Sequence, residues 1–598
     1  MGDYRKFKTA VDRKVRLLQR AGMILLTPTL IGCQLIPHKE EVAGKAWKIT
    51  GEKEDFPERN IPELVGKSDF GICFSGGGNR SAVATLGQLR ALRASGILQK
   101  ARYVSAVSGG AWGSAPWVFL SDTSDENDAR FLGELVMPRD LQVADFPDEP
   151  DPESFAAAAI DSGMSLMRAV GRLDGDENFG AELAGIYLQR QGINDPERVP
   201  VYGQRGLAEM LAQNPSLQAK DFLVCREGRP FFIAGSAISR RDHSIFKPKD
   251  SYIPFEFTTS YSGARCLSER STSPWKRRAA VGGGYVQNLI YDGRFNTARP
   301  GTTDMSVRVS KATPFPRIGS SSRLSLGDML AASGSAPTSV APFLSDALGF
   351  PEFRHYSPAA LPTGKTPELL HTDGGAVENL GIMPLLARGV RNILVFSNTE
   401  AAYCAGMLPK DIGYLFAQAP NPRTGLFSKR LNRRAQQLAE MNFVLDDPGS
   451  GKRSEMVRGF DRALEDGSTL IHHGRYRVRD NVAYGIKGGW EVNISWIVLG
   501  PCGTICDPIN PAVKSTLTLD RLNWYREIKD PQVKRMLMSP ELKNFPHYET
   551  FGRSAFARLS PLKVHALAHF TSYSVAANSK ALAGHLRLRF GPLDCLQR

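Results

Sequence analysis

FGICFSGGGNRSAVATLGQLRALRASG, residues 70–96, reads as a buried strand, a glycine turn and a helix in succession. Phe70 to Phe74 is a short apolar run suited to a strand covered on both faces. Ser75-Gly76-Gly77-Gly78 breaks it, and Val83, Leu86, Leu89 and Leu92 then recur at helical spacing until Gly96. Residues 102–120 repeat the pattern: Arg102 to Val107 predicts a strand, Ser108-Gly109-Gly110 a sharp turn, and Ala111 to Leu120 a helix. Two successive strand–helix units imply an α/β fold, a central mostly parallel sheet with helices packed on it. Farther along, Leu369 to Thr372 predicts a strand running into Asp373-Gly374-Gly375, then a short helix near Pro384 to Arg388 and a strand from Asn392 to Phe396.

Around these blocks the chain is less regular. Residues 33–66 are polar, with Pro37, Pro57 and Pro62, and predict a tether leading into a fold that occupies 67–598. An insertion at about 121–225 combines acidic loops (Asp145 to Glu153) with amphipathic helices such as Ser154 to Val170, and reads as a helical cap. Glu491 to Leu499 predicts a strand and Val533 to Met538 part of a helix. The run Gly282-Gly283-Gly284, near Arg277, Arg278 and Tyr285, reads as a mobile loop near the mouth of a site.

The 598 residues can bury a large core without cross-links. Eight cysteines form no disulfide framework at this length; Cys502 and Cys506 could pair, and they lack the further ligands that zinc needs. No metal or cofactor is expected. The net charge is +14, and residues 1–32, with seven basic and two acidic residues, leave +9 behind. That excess suits an anionic lipid surface. It would equally suit nucleic acid, but no nucleic-acid motif accompanies it, so none is expected as a partner. Lys429, Arg430, Arg433 and Arg434 lie in a predicted helix and read as a solvated face.

The N-terminus carries a basic start, an apolar stretch from Ala21 to Gly32, and Cys33. Twelve residues are too few to span a bilayer. The order is that of a secretion signal over 1–32. Leu30-Ile31-Gly32-Cys33 resembles the lipobox of bacterial lipoproteins, which implies lipidation of Cys33; Gln34 then implies sorting to the outer membrane. The other reading is a basic leader on a cytoplasmic, membrane-associated protein.

Three blocks carry chemistry. Ser108 stands on a strand-to-helix turn in Ala-Val-Ser-Gly-Gly, close to the nucleophile elbow Gly-x-Ser-x-Gly, with Ala106 in place of the first glycine. Alanine is tolerated there only if its φ is negative. The run Ser75 to Gly78 opens a helix, where successive N–H groups can hold an anion such as a tetrahedral oxyanion. It lacks the Lys-Ser/Thr of a phosphate loop and the staggered glycines of a dinucleotide fingerprint. Asp373 can serve a hydroxyl nucleophile as base only if burial raises its pKa. His472, His473, His547, His565 and His569 come after Asp373 in an order that would suit a hydrolase triad, but none sits in a recognisable loop motif and structural roles are expected. Strand alternation puts His371 on the same face as Asp373, where it could tune the base.

Together the blocks resemble the catalytic core of cytosolic phospholipase A2 and fungal lysophospholipases, within the wider patatin-like group. The match rests on residues 71–80 and 103–112, on Pro254 to Thr258, on Ala332 to Pro337, on Asp373-Gly374-Gly375 with Asn379 and Pro384-Leu385, and on Phe545-Pro546 with Thr550-Phe551. The resemblance implies a three-layer fold and a lipid acyl hydrolase acting on phospholipid or lysophospholipid at a membrane surface. It implies Ser108 as nucleophile, Asp373 as base with no histidine, and Gly77 and Gly78 as oxyanion donors, with Gly76 supplying the bend and a further donor. Arg80 would face the substrate phosphate. Ala106 and Ser81, the latter where the family commonly has alanine, depart from the pattern. The same scaffold would serve an acyltransferase, a general esterase or a non-catalytic envelope lipid-binding protein.

Overall fold

A computed structural model of the protein describes residues 39–49, 56–162, 178–239, 252–271, 278–291, 294–298, 304–310, 323–336, 350–354, 357–359, 368–399, 402–418, 426–446, 455–500, 518–548, 551–552, 555–556 and 559–588. Cys33, Cys502 and Cys506 lie outside them. The architecture is α/β, built on one 15-stranded mixed sheet. At its centre five strands pair in parallel, in the order Phe231–Ser239, Tyr103–Val107, Phe70–Phe74, Asn392–Ser397, Glu491–Val498. Every residue of Phe70–Phe74 and Tyr103–Val107 is buried, as an apolar run covered on both faces requires.

Helices Gly78–Ala94, Gly109–Val118 and Pro561–Ala576 pack on one another beside this core. Gly87 permits a close approach, since a Cβ there would stand 2.1 Å from the Ala568 carbonyl oxygen. Elsewhere the Met383–Ala387 helix lays Leu385 against Gly71, and the Cys73 thiol meets the Gly381 carbonyl. Gly71 and Cys73 share one face of their strand, so this helix caps that face.

Four expectations change. The sheet is not mostly parallel: beyond Phe231–Ser239, strands Tyr252–Thr258, Tyr261–Ala264 and Gly284–Gln287 all pair antiparallel. A connection as short as Thr259-Ser260 can only reverse the chain. Residues 39–48 are not a tether but a strand, Lys39–Lys48, paired antiparallel with Asp304–Ser310 and, through Ala46 to Lys48, with Gly284–Gln287. Val42, Gly44 and Ala46 are buried and alternate with the less buried Glu41, Ala43, Lys45 and Trp47, a period-2 signal hidden by polar composition. Gly282 and Gly283, both at positive φ, form a buried turn between Arg278–Val281 and Gly284–Gln287, not a mobile loop. The insertion at 121–225 connects the parallel neighbours Tyr103–Val107 and Phe231–Ser239, but it is not purely helical. Val199–Tyr202 and Phe222–Cys225 pair in a separate two-stranded sheet with helix Gly203–Gln213. Of the helix expected over 154–170, residues 155–162 are helical and 163–170 lie outside the described residues.

Candidate active site

The expected residues meet at the C-terminal ends of the parallel strands, where α/β sheets place their ligand crevices. Strand Tyr103–Val107 ends in Ser108, whose φ of 50° and ψ of −123° mark a strained turn. Ala106 is not among the residues of positive φ, so the departure from glycine is absorbed without conflict. The bend depends on the two glycines after Ser108. A Cβ on Gly109 would lie 2.0 Å from the Gly78 carbonyl oxygen, and one on Gly110 would lie 2.4 Å from that of Phe74. Helices Gly78–Ala94 and Gly109–Val118 therefore begin against each other beside Ser108. Both positive dipole ends gather there, an environment that favours negative charge.

Ser333 holds the elbow from the other side. Its Oγ accepts the Ser108 N–H at 2.9 Å and donates to the Gly235 carbonyl at 2.7 Å, bridging two sheet strands. Gly334 lets the Trp112 indole pack close, and Trp112 Nε1 donates to the Leu330 carbonyl at 3.2 Å. Ser333 and Gly334 thus brace the elbow, a role that no spacing in the sequence announces; Pro337 of the same block lies outside the described residues.

Asp373 ends strand Glu368–Asp373, which runs antiparallel to Phe231–Ser239 with Asp373 opposite Ser236. The Gly375 N–H donates to the Asp373 carboxylate at 2.7 Å, and the Ser108 side chain lies near enough to favour its charged form. Ser108 is 5% and Asp373 8% exposed. Burial pushes the Asp373 carboxyl up to about 6, against Ser108 and the Gly375 N–H, which lower it. A carboxylate of that pKa, close to a hydroxyl and shielded from water, can accept the hydroxyl proton near neutrality.

The glycine loop abuts both residues. A Cβ on Gly76 would come 3.4 Å from the Ser108 Cβ and 2.3 Å from Asn379 Oδ1, while one on Gly375 would come 2.7 Å from that same oxygen. Asn379 therefore sits between the glycine loop and the acid turn. Its carbonyl accepts the Gly76 N–H at 2.9 Å, so the further donor expected from Gly76 is already engaged. Gly77 (φ 146°) and Gly78 (φ 58°) carry the left-handed backbone that turns the loop into its helix. Ser81, the other departure, donates to the Ser75 carbonyl at 2.6 Å and steadies the loop.

Arg80 differs from its expected placement. It is 2% exposed, and its guanidinium bonds the Tyr548 carbonyl at 2.6 Å and the Asn398 carbonyl at 3.3 Å. It faces inward, tying the loop helix to the C-terminal segment. Asn398, just past strand Asn392–Ser397, is a junction that sequence reading missed. Its N–H donates to Ser75 Oγ at 2.7 Å, and its side chain pairs with Gln88 and Ser81.

Among the described residues no histidine hydrogen-bonds Ser108 or Asp373. His473 meets Ser495 Oγ, His547 the Thr399 carbonyl and His569 the Asp145 carbonyl. Burial pushes His472, His473 and His565 down to about 4, and His547 and His569 to about 3. His371 shares its face with Asp373 as expected, yet its ring nitrogens lie 3.3 Å from Ser236 Oγ and Tyr291 OH, inside a box formed by Phe255, Phe257 and Phe353. Among the described residues no acidic, histidine or cysteine cluster could hold a metal ion, and no helix is long and apolar enough to cross a membrane. On helix Leu426–Asn442, Arg433 is exposed, but Arg434 lies over the Tyr252 ring and bonds the Ala376 carbonyl at 3.4 Å.

No protein-family model matches the chain, and no curated protein matches it in sequence. Among solved structures it is similar to human GIVD cytosolic phospholipase A2, with a TM-score of 0.40 and 13% identity over 94% of this chain and 67% of that one. The same human enzyme in complex with methyl gamma-linolenyl fluorophosphonate inhibitor and terbium chloride gives 0.39 and 13% over 94% and 66%. With methyl gamma-linolenyl fluorophosphonate it gives 0.37 and 14% over 89% and 60%. The chain thus covers 60–67% of the length of these structures.

Proposed function

We propose that the protein is a serine-dependent lipid acyl hydrolase that cleaves fatty-acyl esters of phospholipids or lysophospholipids at a membrane surface. One observation supports the reading: a hydroxyl on a strained, buried elbow stands beside a desolvated carboxylate near the starts of two helices. In the proposed reaction Ser108 Oγ attacks the ester carbonyl carbon while its proton passes to the Asp373 carboxylate. The carbonyl oxygen becomes an oxyanion held by the N–H groups of Gly77 and Gly78, each such donor lowering the barrier by about 3 kcal/mol. Collapse breaks the bond to the alcohol, which leaves with the proton from Asp373 as the acyl group stays on Ser108. Water then attacks the acyl-enzyme, Asp373 takes its proton, and fatty acid departs as that proton returns to Ser108.

The decisive experiment compares fatty-acid release from phospholipid and lysophospholipid by wild type and Ser108→Ala. Release should fall to background in the variant, a loss on the order of 10⁴-fold or more. Labelling by an alkyl fluorophosphonate should vanish with it. Release at the wild-type rate from Ser108→Ala would end the proposal, and acyl groups found on an added alcohol instead of water would redefine the enzyme as a transferase. The leader proposal stands separately. Labelled palmitate should appear on the wild-type protein and be lost from Cys33→Ser, and equal labelling of both would remove it.

A further inference from the structure

Five residues beyond Asp373 lies a second buried carboxylate that the proposed reaction does not use. Glu378 is 8% exposed, and burial pushes its carboxyl up to about 7. Holding an ionisable group there is costly unless it is hydrogen-bonded. It folds back on its own turn, accepting the Leu380 N–H at 2.5 Å, with the N–H groups of Gly381 and Met383 close enough to favour its charged form. Those donors open the Met383–Ala387 helix and the left-handed bend at Gly381 (φ 77°). The Glu378 side chain thus does for this turn what an N-cap does for a longer helix.

The residue inside that closed turn is Asn379. Its carbonyl takes the Gly76 N–H, its Oδ1 packs against Gly76 and Gly375, and its Nδ2 donates to Asp411 at 2.7 Å. A cavity of about 30 Å³ lies beside the turn, lined by Val107, Ser236, Gly374, Glu378, Gly381 and Tyr484 among others. The turn is held by the Asn379 bonds from outside and, from within, by its own carboxylate. We propose that Glu378 is a positioning residue for acyl transfer, its carboxylate shaping the turn so that Asn379 sets the glycine loop against Ser108. This rests on the hydrolase reading above and assigns its machinery one more part.

The test is Glu378→Gln in the full-length protein. An amide replaces one carboxylate oxygen with an NH2 donor, which must then face either the Leu380 N–H or the neighbouring N–H groups of Gly381 and Met383. With Ser108 and Asp373 untouched, kcat on a lysophospholipid should fall roughly 10- to 100-fold, with KM within about twofold, because the damage falls on groups that act in the transition state. Fluorophosphonate labelling of Ser108 should slow in parallel but still reach completion. A kcat within twofold of wild type would overturn the proposal, as would a loss expressed only in KM. If Glu378→Gln fails to fold, hydrogen exchange of the wild-type protein decides. The Leu380 and Gly381 amides should exchange at least about 100-fold more slowly than free peptide, and unprotected exchange in the folded enzyme overturns it. The outcomes separate the two readings: an inactive Ser108→Ala with a fully active Glu378→Gln keeps the hydrolase and removes only this role.

Discussion

The two turns that make the candidate site are held by opposite means. The elbow at Ser108 is fixed by exclusion, because Gly109 and Gly110 press carbonyl oxygens so closely that no side chain fits, and the strain falls on Ser108 itself. The acid turn is fixed by attraction: Asp373 holds the Gly375 N–H, Glu378 holds Leu380, and Asn379 reaches across to Gly76. A sterically fixed turn should fail through added bulk at any pH. One built from buried carboxylates should respond to their charge.

The largest effect should come from bulk at the elbow. Gly109→Ala drives a methyl group into the Gly78 carbonyl, where backbone cannot yield, and should cost roughly 4 kcal/mol or more in urea unfolding or prevent soluble accumulation. Gly584→Ala is the control, since nothing lies within 4 Å of it in helix Ser579–His585, and it should be neutral or gain up to about 1 kcal/mol. Equal stabilities for the two variants would break the comparison on the elbow's side.

The acid turn should show itself in pH. Because burial raises Asp373 to about 6, its charged form is the one the fold penalises. The stability linked to this group is full below the unfolded value near 4 and is lost as pH rises through about 6. Asp373→Asn should therefore unfold later than wild type at pH 8, by up to about 3 kcal/mol, with the gap closing by pH 4. Activity runs the other way, since a base must be ionised. kcat/KM should rise about tenfold from pH 5 to a plateau above pH 6 to 7. A flat profile across that range would remove Asp373 as the base.

Ser333→Ala should sharpen the picture with the smallest change. It strips the acceptor from the Ser108 N–H and the donor from the Gly235 carbonyl, at a cost of about 1–3 kcal/mol. Because it braces the elbow without touching the acid turn, it should lower kcat while leaving the pH midpoint in place.

The parallel core was legible because its strands are continuous apolar runs and its turns are glycine-rich, two signals that are local in sequence. The residues of the site were legible for the same reason, as Ser108, Asp373 and the glycine loop each sit on such a turn. What stayed hidden is long-range. Ser333, Asn398 and Glu378 matter through partners on other strands or through the folding of their own turn, and nothing in their immediate neighbours encodes that. Arg80 sits next to the right loop, but whether a guanidinium faces ligand or core depends on the carbonyls of Asn398 and Tyr548, hundreds of residues away. The antiparallel wing escaped because alternating small and charged residues, as in Lys39–Lys48, look like linker when composition is read before period.

That first strand has a practical consequence for anyone producing the protein. It lies between Asp304–Ser310 and Gly284–Gln287, joining two parts of the sheet that are not otherwise neighbours. A recombinant chain started at Phe70, where the recognisable motif begins, would bare the backbone of both partners at once. Exposed edges of that kind recruit other chains, so the shortened protein should precipitate or form inclusion bodies even though every residue of the chemistry is present.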